Sequence, residues 1–139
     1  MTLYITDEIP HGNVCGVRIE DEADPPVVGF TADPRGAPES LWFCFRVGDD
    51  AGPGGPGGAG GGGKLRVELD HVDTLLGGGR EPANIRPVIR YAGDDWRRLD
   101  AGEVIEHADG CRKVAWTVDA PTAHFDLAVC YPYGMAELT

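Results

Sequence analysis

Basic residues are scarce in this chain: 12 lysines and arginines stand against 23 aspartates and glutamates, for a formal net charge of −11. Nucleic-acid backbones and anionic membrane surfaces are recruited by clustered Lys and Arg, so no nucleic-acid or membrane partner is expected. Long apolar runs are missing too. No window approaches the roughly 18 apolar residues that span a bilayer. The opening Met1-Thr-Leu-Tyr-Ile-Thr-Asp-Glu has neither the basic start nor the apolar stretch of a secretory signal, and the expectation is a cytoplasmic protein. Ser40 is the only serine and has no glycine elbow around it, which removes the serine-nucleophile chemistries. The four cysteines, Cys15, Cys44, Cys111 and Cys130, form no CxxC. Each falls in a strand-like run, where a reduced thiol behaves as a small hydrophobe.

What is present is enough for one domain spanning residues 1–139. A chain of that size can bury a core without a metal or a disulfide. Its 21 glycines and 11 prolines cut it into short pieces. Most of these pieces alternate with period two, as a strand with two different faces requires. Leu41, Phe43, Phe45 and Val47 share one face, and Trp42, Cys44 and Arg46 the other. Leu65, Val67 and Leu69 oppose Lys64, Arg66, Glu68 and Asp70, while Val114, Trp116 and Val118 share a face, as do Phe125, Leu127, Val129 and Tyr131. Further strands are expected at 13–20, 27–32, 85–91, 96–99 and 104–107, separated by turn clusters such as Asp24-Pro-Pro and Ala92-Gly-Asp-Asp. About eight to ten short strands with frequent turns predict an all-β fold, an antiparallel β-sandwich of jelly-roll-like form. Residues 64–76 also carry Leu65, Leu69, Val72 and Leu76 at helical spacing, but the tighter period-two match favours a strand followed by a loop.

Residues 52–63 hold nine glycines, two prolines and one alanine. Nothing in that stretch can pack, so it reads as a flexible loop inserted within the domain. It lacks the pattern of a phosphate-binding loop.

Candidate chemistry is thin. Asp70-His71-Val72-Asp73 is the densest group of possible metal ligands, yet a strand sends Asp70 and His71 to opposite faces. His11, His107 and His124 show no HxH, HExxH or HxxE spacing. The run Glu20, Asp21, Glu22 and Asp24 ahead of Pro25-Pro26 reads as a solvated turn. Among the aromatics, Trp116 sits between Val114 and Val118 and reads as core. Trp42 and Trp96 are the candidates for a ligand-stacking platform, against the plainer reading that both pack inside.

Four segments, in order, carry a resemblance. Ile9-Pro-His-Gly-Asn13 is similar to a Phe-Pro-Gly-Gly-Asn opening, and Trp42-Phe-Cys-Phe-Arg-Val47 to a Trp-Phe-Tyr-Phe-Arg-Val strand. Arg86-Pro-Val-Ile-Arg-Tyr-Ala-Gly-Asp-Asp-Trp96-Arg is similar to an Arg-Pro-Val-x-Ser-x-Asp-Gly-x-x-Trp run, and Phe125-Asp-Leu-Ala-Val-Cys-Tyr-Pro-Tyr133 to a strand ending in Pro-Tyr. Together they resemble the N-terminal β-sandwich domain that precedes the catalytic domain in zinc carboxypeptidases of the cytosolic type. His11, Cys44, Cys130 and the 52–63 insertion depart from that pattern. The resemblance implies a non-catalytic accessory domain that supports the folding and substrate access of a peptidase domain, in cis or from an adjacent gene. It also implies that Tyr131, Pro132 and Tyr133 lie at the hand-over to that domain as interface residues. The family's HxxE…H zinc site has no counterpart here, so no catalytic or metal residue carries over, and zinc would belong to the partner. A free-standing carbohydrate- or protein-binding module built on Trp42 or Trp96 is the alternative.

Overall fold

A computed structural model describes residues 3–9, 12–32, 42–49, 63–72, 85–106, 112–121 and 123–129. The described residues form ten strands and no α-helix: β1 (Leu3–Thr6), β2 (Cys15–Glu20), β3 (Val27–Thr31), β4 (Cys44–Asp49), β5 (Lys64–Leu69), β6 (Val88–Tyr91), β7 (Arg97–Arg98), β8 (Glu103–Glu106), β9 (Arg112–Asp119) and β10 (His124–Ala128). They assemble into two five-stranded sheets. The first runs β1-β4-β10-β6-β7 and the second β2-β3-β5-β9-β8.

The alternation read from the sequence sets which residues each sheet buries. Phe45, Val47, Ile89, Phe125 and Leu127 on the first sheet, with Phe43 just before β4, join Val28, Phe30, Leu65, Val67, Val114 and Trp116 on the second in one hydrophobic cluster. Phe30 of β3 carries the contact across. Its ring lies 4.9 Å from Phe43 and 4.5 Å from Phe45, at inclinations typical of aromatic pairs. Every buried CH₂ removed from water in this layer contributes about 0.8 kcal/mol, so the two sheets are held by their facing side chains.

Neighbouring strands are antiparallel except β3 and β5, which pair in parallel from Val27–Arg66 to Phe30–Leu69. This departs from the wholly antiparallel arrangement expected. The physical cause is connectivity: between them the chain leaves for the first sheet as β4, and strands joined through such a crossover can run the same way. The strand expected over 64–71 also ends early. Asp70 donates its N–H to Phe30 O at the end of the ladder, and His71 turns the chain with φ +53°. A further strand, β1, arises from the opening segment, which pairs with β4 from Leu3–Asp49 to Thr6–Arg46. The edge strand β2 is irregular between Cys15 and Arg18, where Gly16 adopts φ +58°. A bulge of this kind bends an edge away from pairing with other chains. Of the predicted loop at 52–63, only Gly63 is described; its carbonyl accepts the Ala120 N–H at 3.0 Å. The rest of that loop lies outside the described residues.

The outward faces are not simply wet. The middle strand of each sheet carries one buried carboxylate there. Asp126 on β10 is 3 % exposed and accepts from Arg46 of β4 (Nε, 2.7 Å) and Arg90 of β6 (3.3 Å). Glu68 on β5 is 6 % exposed and accepts from Arg18 (2.6 Å), Arg66 (2.7 Å) and Lys113 (2.9 Å). Opposite Arg18 in the ladder stands Gly29, and opposite Tyr4 stands Gly48. A Cβ at either glycine would collide with the side chain lying across it. The missing side chains are what let Arg18 reach Glu68 and Tyr4 cover the first sheet.

Candidate functional site

Trp42 and Trp96 come from distant parts of the sequence, and the first sheet brings them to one place. Trp42 precedes β4 and faces outward with Cys44. The ladder aligns Cys44 of β4 with Ala128 of β10, and Ala128 with Val88 of β6. These three small side chains are fully shielded although they lie on the outer face, because Ile9, Trp42 and Trp96 pack over them. Both indoles remain half-buried. A strap fixes Trp42: Asn13 Nδ2 donates to its carbonyl at 2.7 Å, and Asn13 itself pairs with Cys44 through backbone hydrogen bonds of 2.7 and 3.1 Å. The Arg90 guanidinium lies 4.6 Å from the centre of the Trp96 ring and also reaches Asp126. A cation so placed is attracted by the ring's negative face. The result is an outward apolar patch of two aromatic rings bounded by arginine.

Cys44 sits beneath this patch. Burial, reinforced by the nearby Asp126 charge, pushes its thiol up from 9.0 to about 12. Thiolate is the reactive form, so Cys44 is expected to stay unmodified when the native protein is treated with iodoacetamide near pH 8, and to react after unfolding. Peptide mapping reads the outcome. Rapid native alkylation of Cys44 would show that the Trp42–Trp96 cover is open.

A second feature lies where the chain leaves β7 and crosses to β8 on the other sheet. There a cleft of about 440 Å³ opens, with Lys64, Arg66, Arg97, Glu103 and Asp119 around it and Trp116 among its lining. Tyr91 of the first sheet donates to the Asp119 carbonyl of the second at 2.6 Å and ties the two sheets beside it. Burial, with the Asp119 charge, pushes the Tyr91 phenol up from 10.0 to about 12. The Asp119 carboxyl is held below its ordinary value by the Lys64 ammonium at 2.6 Å. Trp116 belongs to the core, as its alternation implied. Alternation carries no sign, however, that its indole Nε1 is buried without an acceptor among the described residues.

The other candidate ligands stay apart. Asp70 is taken up by Arg18 at 3.0 Å, and His71 is exposed where the chain turns. Among the described residues no three His, Cys, Asp or Glu side chains gather as a metal site would require, and no helix is long and apolar enough to cross a membrane. Cys44 is a free thiol. Tyr131, Pro132 and Tyr133, together with His11, Ser40, Asp73, His107, Cys111 and Cys130, lie outside the described residues. The sequence singled out both tryptophans of the patch but not their convergence, which depends on the pairing of β4, β10 and β6. No protein-family model matches this chain, and no curated protein matches it.

Proposed function

We propose that the chain is a β-sandwich accessory module whose outer face on the first sheet docks another protein domain. The observation that carries this reading is the placement of Trp42 and Trp96 over one small apolar cluster, with Arg90 against Trp96. Tryptophan and arginine are the side chains that most often dominate protein interfaces. A sugar platform needs an open ring face, whereas the Arg90 guanidinium occupies one face of Trp96. The partner is the zinc carboxypeptidase catalytic domain implied by the resemblance, in cis or encoded nearby. The module supplies no catalytic group of its own. Ala128, which ends β10, belongs to the same cluster, so the chain leaving it toward Tyr131, Pro132 and Tyr133 starts from the docking face.

Acrylamide quenching tests this reading. Trp42 and Trp96 are expected to be quenched in the free chain and protected when an HxxE-type peptidase domain encoded beside it is added. Trp42→Ala is expected to weaken that association by about 2 kcal/mol or more, roughly 30-fold in Kd. Protection by oligosaccharides would instead favour the carbohydrate-binding alternative. Binding unaffected by Trp42→Ala and Trp96→Ala together would remove this face from the interface.

A further inference from the structure

We infer that the cleft between β7 and β8 is a binding site for a small organic carboxylate. Its volume of about 440 Å³ lies within the range of small-molecule sites, about 300–1,000 Å³. The charges around it are ordered by depth. The Arg66 side chain is only 24 % exposed, whereas its partner Glu103 is 67 % exposed and turns toward solvent. Lys64 and Asp119 form another pair at the rim, both more than half exposed. Exposed pairs of this kind contribute about 0–1 kcal/mol, so a ligand anion can replace Glu103 or Asp119 at little cost. Arg97 stands over Tyr91 at 5.7 Å on the same side.

The inner lining is therefore rich in donors. Guanidinium groups donate and never accept, and an indole N–H does the same. Trp116 Nε1 is the buried side-chain polar atom that finds no partner among the described residues. A buried donor left unmade costs about 1–3 kcal/mol. Gly102, part of the cleft wall, lies directly against that nitrogen: a Cβ built there would stand 2.7 Å from Nε1 and 2.7 Å from the Ala115 carbonyl. A carboxylate entering beside Gly102 takes the Arg66 Nη1 that Glu103 now holds, while Arg66 Nε stays on Glu68, and it reaches the indole N–H as the Gly102 backbone gives way. The chain's charge of −11 disfavours anions overall, so binding here depends on the local donors of the cleft.

Succinate is the probe, with uncharged dimethyl succinate and inorganic phosphate as the comparison arms. Calorimetric titration of the unaltered chain gives the affinity. A Trp42→Phe, Trp96→Phe background leaves Trp116 as the sole indole reporter and, because both docking tryptophans are gone, separates this result from the interface reading. The expected outcome is saturable binding of succinate with Kd below about 1 mM, a change in Trp116 emission, and no response to the diester. Arg66→Gln and Arg97→Gln are each expected to weaken binding about tenfold. Arg66 also holds buried Glu68, so Arg97→Gln carries the comparison if Arg66→Gln fails to fold. Absence of saturation, or an equal response to the diester, overturns the site. An equal response to phosphate overturns its assignment to carboxylates.

Discussion

Phe30→Ala is expected to lower the stability of the domain by about 3–5 kcal/mol, a large part of the 5–15 kcal/mol that such domains possess. Phe30 is fully buried on β3 of the second sheet, while the rings it touches, Phe43 and Phe45, belong to the first. Truncation therefore removes the aromatic layer that joins the sheets, and not merely one side chain among equals. The surrounding strands are hydrogen-bonded on both sides and cannot collapse into the space, so a cavity term adds to the lost transfer energy. Urea unfolding followed by circular dichroism should show the midpoint falling with an unchanged slope. Phe30→Leu keeps most of the volume and is expected to cost less than about 1.5 kcal/mol. An alanine variant within about 1 kcal/mol of the parent would mean that the sheets are joined elsewhere.

Glu68→Gln should be the most damaging polar substitution. The carboxylate receives Arg18, Arg66 and Lys113 at 2.6–2.9 Å. The amide keeps the shape but removes the one buried charge the three cations share, leaving Arg18 and Arg66 with only more exposed partners such as Asp70 and Glu103. Removing one member of a buried ion pair costs about 3–5 kcal/mol; the cations here retain part of their hydration, so about 2–3 kcal/mol is expected. Burial alone raises the Glu68 carboxyl, but the hydrogen bonds and charges of Arg66, Lys113 and Arg18 outweigh it, and the net direction is downward from 4.5. A depressed folded value means that the unfolded chain binds the proton first on acidification. The contribution of Glu68 is therefore complete above about pH 4.5 and is lost as pH falls through the lower folded value. Urea midpoints measured from pH 7 downward should drop more steeply below that point in the parent than in Glu68→Gln. Parallel acid limbs would show that Glu68 is not held below its ordinary range.

Period-two patterning made much of the β framework legible, because it records directly which side chains leave each face. Phe43, Phe45, Leu65, Val67, Val114, Trp116, Phe125 and Leu127 were all readable as inward from their alternation, and all are buried. The same patterning was blind on the outer faces. Glu68 and Asp126 occupy polar positions of their strands, so alternation marks them as wetted, yet both are buried. Their burial depends on arginines and a lysine delivered by other strands, information that no local window holds. Trp42 and Trp96 were visible as candidates for an equally local reason, but their meeting needed the β4-β10-β6 order. The cleft depends on the crossing from β7 to β8 and had no signal at all. The parallel β3–β5 pair was hidden likewise, since alternation reports faces and not strand direction.

The flanking of β4 by β1 and β10 has a mechanical consequence. Both neighbours are antiparallel to β4 and hence run the same way, with Tyr4 and His124 both opposite Gly48 at one end and Ala128 opposite Cys44 at the other. Tension drawn through the segments entering Leu3 and leaving Ala128 slides the two outer ribbons past the middle one in opposite directions. All the rungs are then loaded together instead of being peeled singly, so pulling along these strands meets more resistance than pulling across them.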